Sequence, residues 1–372
     1  MIDHDRLIAT FMDLCKIDSE PTGERLMADR LTELLASLGF VVSEDDTGMK
    51  IGGNAGNIYA RLEGNAAGET VLFSCHMDRV VPGANVKPRI DGEYIVSDGT
   101  TVLGAGDVSG LAALLEGITV LKENRSAHPA IELVLTVAEE LSLVGSKHFD
   151  TTQVTSRIGF VLDAGGDVGE IVLQAPEHIK FTAVFHGRSA HAGFAPEQGV
   201  SAIQMAASAV SRMGLLRIDA ETTANIGSIS AIGPTNIVQD RCELQGEVRS
   251  LTPAKVQSHM ATLSDVMHAA AVEYGGSVTI ESETSYHSYQ LQEESEPVRR
   301  AARAAAEIGV PIRYKATGGG SDANCFNSRG LPTVVLSCGY EKVHTTAERI
   351  PLKQLVLLTE WVLAIISDGG AA

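Results

Sequence analysis

His76 and Asp78 stand two residues apart at the end of the apolar run Val71-Leu72-Phe73. On an extended chain such residues leave the same face, so imidazole and carboxylate point together. One of the pair can bind a metal while the other fixes its neighbour's tautomer from behind. Further on, Leu103-Gly104-Ala105-Gly106-Asp107 sets a carboxylate after two glycines, which let main chain crowd close to whatever Asp107 reaches. The run Ala130 to Thr136 ends in Val137-Ala138-Glu139-Glu140, and Ile158 to Leu162 ends in Asp163. Two acids at a strand end are, alone, more often solvated surface. Three apolar strands that each end in acid, or in His plus acid, and converge on one sheet edge would be costly unless a cation neutralised them.

The elements around these residues follow from periodicity. Asp5 to Lys16 has apolar positions at helical spacing, and a second helix runs from about Glu24 to Leu38 with Leu26, Leu31, Leu34 and Leu35 inward. Val41-Val42, Asn57 to Leu62, Val71 to Ser74 and Ala130 to Thr136 read as strands, and a helix follows Asp107 to about Lys122. This alternation of helices and buried strands predicts an α/β sheet with helices on both faces. In open α/β sheets, ligands sit beyond the carboxyl ends of the strands, where Glu139 and Glu140 fall.

From about His178 the texture changes to β-α-β-β-α-β: a strand at 179–186, a helix at 201–213, strands at 225–232 and 245–251, a helix at 253–274 and a strand at 277–283. That order predicts a ferredoxin-like insert. The expected domains are therefore 1–176 with 286–372, and 177–285. A helix at 298–308, an apolar strand at 332–337 and a closing helix at 351–366 return the chain to its first domain. Thr317-Gly318-Gly319-Gly320-Ser321-Asp322 reads as a loop, and His344 follows the 332–337 strand as a further candidate in the same region.

The 372 residues exceed one typical core, which agrees with two domains. A formal charge of −18 without a basic patch excludes nucleic acid as the expected partner. The five scattered cysteines include no C-x-x-C pair, which fits a reducing compartment. The first residues lack the pattern of a signal peptide, and no 18-residue apolar run appears, so the expected location is cytoplasmic, away from membrane.

Taken in order, His76-Met77-Asp78, Gly106-Asp107, Glu139-Glu140, Asp163, Ser189-Ala190-His191, Arg249, Gly318-Gly319-Gly320-Ser321-Asp322 and His344 resemble the M20 metallopeptidase family, and within it the peptidase T branch. The resemblance spans nearly the whole chain. It implies a zinc-exopeptidase-type α/β catalytic domain with an inserted lid and dimerisation domain, and two divalent metals, zinc first, with manganese or cobalt as alternatives. By the same resemblance Asp107 bridges both metals, His76 and Asp163 complete one site, and Glu140 and His344 the other. Asp78 orients His76, and Glu139 is the general base. Imidazoles and carboxylates around two ions about 3.5–4 Å apart make a hydrolytic site of this kind.

For the insert, the resemblance implies that His191 reaches an active site, that of a partner subunit, and donates to the oxyanion, against a plain turn histidine. Arg249 would hold a substrate carboxylate, with a surface ion pair as the competing role. Asn236 resembles a lid residue that touches substrate. His128, His148 and His178 are left as structural. The function so implied is a homodimeric exopeptidase that removes the N-terminal residue from short peptides, tripeptides first. Its rivals are an M20-type deacylase of N-acyl or N-carbamoyl amino acids, and a non-catalytic peptide-binding protein that keeps the fold.

Overall fold

The computed structural model describes residues 1–368. The chain divides into two compact units, one of Met1–Gln174, Gln290–Thr317 and Ser321–Ala372, the other of Ala175–Tyr289 with Gly318–Gly320.

In the first unit the sheet runs, in spatial order, Val41–Glu44, Ile58–Leu62, Ile131–Thr136, Val71–His76, Gly159–Ala164, Thr333–Ser337 and Glu170–Ala175. The four strands from Ile131–Thr136 to Thr333–Ser337 are parallel to one another. Val71–His76 and Ile131–Thr136 are buried at every position, so both faces are covered, and that is why these strands read as continuous apolar runs. The helix Ala105–Glu123 packs on the sheet and against the helices His4–Cys15 and Leu352–Asp368. A smaller sheet joins Arg89–Asp91, Tyr94–Val96 and Arg349–Pro351. No helix among the described residues is long and apolar enough to cross a membrane.

The second unit has the β-α-β-β-α-β order. Its sheet is antiparallel throughout, with Thr222–Ser230, Arg241–Ser250, Glu177–His186 and Ser277–Tyr286 side by side and the short strand Leu216–Arg217 at one edge. Phe181, Phe185, Leu244 and Val248 on alternate strand positions form one core with Met205, Leu263 and Met267 of the helices Ala202–Arg212 and Pro253–Glu273.

Some expectations needed correction. Leu26 is 64% exposed, and its neighbour Met27 takes the inward position. The helix begins only at Arg25, and Glu24 before it is itself buried, which shifts the phase of the first turn by one residue. The strands Glu170–Ala175 and Arg313–Ala316 were not expected, since each begins on a charged residue and the second has only 4 residues. The Gly-Gly-Gly-Ser-Asp segment is a loop only as far as Ser321. At the start of the helix Asp322–Ser328 the Ser321 N–H donates to Asn324 Oδ1 at 3.1 Å, a helix-start pattern the glycines outweighed.

Candidate metal centre

Four neighbouring parallel strands end at the same edge, and their carboxyl ends deliver the candidate residues. His76 is the last residue of its strand, level with Thr136. The main chain stays paired one step further, since Met77 donates to the Thr136 carbonyl at 2.8 Å. Beyond Val137 the chain breaks direction: Ala138 takes a left-handed φ of 49° and Ser142 and Leu143 take 74° and 64°. Such φ values are uncommon for residues with a side chain and persist only where surroundings impose them. Two carboxylates do so here. Glu24 accepts the Ala138 N–H at 2.9 Å, and Asp78 accepts those of Glu139 and Glu140 at 2.9 and 3.1 Å.

His76 stands at the middle of the cluster. Its Nδ1 lies 3.4 Å from Asp78, and its Nε2 lies 3.6 Å from Asp163 and 4.0 Å from Glu139. Ligand atoms of His76, Glu139 and Glu140 all lie within 4.8 Å of one another. His344 Nε2 is 3.0 Å from Glu140 Oε1 and, at 55% side-chain exposure, forms the rim of the group. Asp107 stands in the first turn of the helix Ala105–Glu123, and its side chain lies outside the described residues. The glycines before it are used as close approaches: Gly104, at φ 74°, abuts the Arg79 side chain, and Gly106 faces the Tyr340 ring.

Electrostatics separate this cluster from an ordinary buried acid. Glu132, in the same strand that leads to Glu139, is fully buried but accepts from Arg61 at 2.7 Å, Tyr59 at 2.9 Å and Thr155 at 2.6 Å. Burial opposes its charge, yet these donors outweigh burial and hold its carboxyl below the ordinary value. At Glu139 burial dominates, with Asp163 and Glu140 adding repulsion against the attraction of His76, and the carboxyl is pushed well above the ordinary range. Asp322, bonded to the Thr136 hydroxyl at 2.5 Å, is pushed up to about 6, again chiefly by burial. Burial also works against charge at Glu140, but the hydrogen bond from His344 outweighs it and holds that carboxyl down.

Arg79, next to Asp78, makes its hydrogen bonds to the carbonyls of Leu14, Cys15 and Ile17 rather than to these acids. Converging carboxylates and imidazoles of this kind are the donor set of a divalent cation site, and a bound cation would offset both the burial and the repulsion that raise Glu139.

His191, Asn236 and Arg249 belong to the second unit. Ala192 donates to the Asn236 carbonyl at 2.8 Å and His191 bridges Ile237, so His191 and Asn236 sit on paired segments. The N–H groups of Gly193 and Phe194 point at His191 Nδ1 from 3.2 and 3.1 Å. Two donors require a lone pair there, so the neutral ring carries its proton on Nε2. Arg249 makes an ion pair with Glu247 through Nε and Nη2 at 2.9 and 3.0 Å. His178 is buried and reaches Glu247 at 3.1 Å. That hydrogen bond, more than Arg249, draws Glu247 down to about 2.

The sequence reading assigned no role to Glu24 or Glu348. Glu24 carries no local signal, being one acid at a helix start. Glu348 lies four residues past His344, but nothing in the sequence marks it as buried.

Two peptidase families match separate stretches of the chain: residues 177–275 match an M20-type domain described as a peptidase dimerisation domain, and residues 57–173 match peptidase family M28. Among relatives, the uncharacterized protein YqjE of Bacillus subtilis is 43% identical over all of both chains. Among solved structures, an aminopeptidase PepT from Bacillus cereus is 44% identical over 99% of both chains with a TM-score of 0.88. A tripeptidase from Staphylococcus aureus is 39% identical over the whole of both chains with a TM-score of 0.94.

Proposed function

Because the chain belongs to the M20 family of metallopeptidases, on its peptidase T-like branch, and is a peptidase, we propose that it is a two-metal aminopeptidase that releases the N-terminal residue of short peptides, tripeptides first. The observation that carries this reading is the convergence of His76, Glu139, Glu140, Asp163 and His344 beyond the carboxyl ends of neighbouring parallel strands.

His76 and Asp163 would hold one ion, Glu140 and His344 the other, and Asp107 would stand between them. When bound, the ions, most simply zinc, with manganese or cobalt as alternatives, polarise the scissile carbonyl and bring the pKa of the attacking water toward roughly 7. Asp78 holds His76 in orientation through Nδ1 and keeps the Glu139 and Glu140 main chain in place. Glu139 takes the proton from the attacking water and passes it to the nitrogen of the leaving amine. His191, protonated on Nε2, donates to the developing oxyanion of a partner subunit's substrate. The match of residues 177–275 to a dimerisation domain supports a homodimer through the second unit. Asn236 would contact substrate beside His191, and Arg249 would bind a substrate carboxylate alongside its pair with Glu247. Five cysteines, all buried, support a cytoplasmic setting.

The experiment is hydrolysis of Ala-Ala-Ala, Ala-Ala, an N-acetyl amino acid and an N-carbamoyl amino acid with zinc, manganese or cobalt, and with chelator. Metal-dependent release of the N-terminal residue from the free-amine peptides alone supports the proposal. Turnover of the blocked substrates alone would move the protein to the deacylases, and a chain that takes up no metal would leave a peptide-binding role.

A further inference from the structure

Glu348 is a carboxylate for which the proposed reaction has no use, yet it is only 4% exposed. One oxygen accepts the backbone N–H groups of Leu103 at 3.0 Å and Gly104 at 2.9 Å, from 245 and 244 residues away in sequence. Gly104 is the N-cap of the helix Ala105–Glu123 and has no side chain with which to satisfy that helix end. A helix start leaves its first N–H groups without intrahelical partners. Glu348 takes the N–H of the N-cap residue itself, the donor that a Glu at the third helical position satisfies in a capping box, and sets its charge near the positive end of the helix.

The same residue closes the loop that carries His344. Glu341 and Arg349 pair main chain to main chain at 2.9 and 3.2 Å, and the Arg349 guanidinium bonds the Glu341 carboxylate at 2.7 Å. Arg349 also stacks over the Tyr94 ring, 4.2 Å from its centroid. Between these anchors, Lys342 and His344 take left-handed φ values of 58° and 59°, and Glu348 donates its own N–H to the Thr345 carbonyl at 3.0 Å. Glu348 lines the same small cavity as Gly106, Glu140, Asp163 and His344.

We infer that Glu348 is a positioning residue of the metal centre: it clamps the His344 loop to the start of the helix that bears Asp107, and so fixes two candidate ligands from distant parts of the chain relative to each other. This rests on the reading of Asp107 and His344 as ligands. What matters is the reach of the side chain, which must span from the loop to two N–H groups at once.

The test compares Glu348→Gln, which keeps that reach, with Glu348→Asp, which keeps the charge but is one methylene short. Zinc affinity is read on the folded proteins by competition with a chromophoric chelator. Glu348→Gln should stay within about threefold of wild type, whereas Glu348→Asp should bind one ion about 10- to 100-fold more weakly, the usual cost of losing a group that orients a ligand. In the Asp variant kcat should fall at unchanged KM and recover in excess zinc, which a general loss of stability would not produce. A Glu348→Asp protein that binds zinc as wild type does overturns this inference alone. A wild-type chain that takes up no zinc overturns the metal reading and this inference with it.

Discussion

Asp78 Oδ1 lies 2.9 Å from the backbone nitrogen of Glu139, so the acid expected to orient His76 also holds the main chain of the proposed base. Its second oxygen takes the N–H of Glu140 at 3.1 Å. Asp78→Ala should therefore disturb three candidate groups at once, lowering metal affinity or kcat by about 10- to 100-fold. Metal content and kcat measured together check this, and wild-type values of both would remove Asp78 from the mechanism.

Glu139→Gln preserves size and removes the proton acceptor. Metal content should be unchanged while kcat drops by at least about 10²-fold, the low end of general-base contributions. Peptide hydrolysis at the wild-type rate would assign the base elsewhere.

Metal-free protein should lose stability as pH rises from about 5 to about 7. Burial raises Glu139 well above its ordinary value and Asp322 to about 6, so the folded state binds protons that the unfolded chain has released. Their contribution is complete below the ordinary carboxylate range and is lost as pH climbs through the raised values. Glu247, drawn down to about 2, acts in the opposite sense but only at lower pH, while His178, held below the ordinary imidazole value chiefly by burial, opposes the trend within the window as one group against two. Metal binding displaces the protons, so the loaded protein should show the reverse trend. Thermal unfolding with and without chelator at the two pH values reads the sign, and a flat metal-free profile would contradict it.

Gly145→Ala should destabilise the protein by about 1–3 kcal/mol through overpacking. A Cβ there would collide with the Val137 carbonyl and Asn57 Oδ1. Asn57 donates to the Gly145 carbonyl at 3.0 Å and accepts the Val137 N–H at 3.1 Å, so the clash bears on the segment leading to Glu139. Denaturant midpoint and kcat should fall together, and an unchanged midpoint would mean that the segment yields freely.

Arg249→Ala should raise KM by about tenfold or more for a tripeptide with a free carboxylate, the loss of one charge-assisted pair. The same peptide with an amidated C-terminus should be little affected. Equal effects on both would leave Arg249 with its Glu247 pair as its whole role.

Much of this molecule is set by local sequence. Val71–His76 and Ile131–Thr136 are covered on both faces, so their apolar runs announce parallel strands, and the acids after them stand where such a sheet binds ligands. The alternation in Glu177–His186 likewise marks a sheet with one covered face. What periodicity could not reveal is which acids are paired across the fold. Glu132 and Glu139 are the same residue type a few positions apart, and only the arrival of Arg61, Tyr59 and Thr155 makes the first a satisfied structural carboxylate. Glu24 and Glu348 became part of the site for the same reason, through hydrogen bonds to main chain far away in sequence. A carboxylate's role depends on the donors and charges that surround it when buried, and those neighbours are chosen by tertiary packing rather than by the residues beside it in the chain.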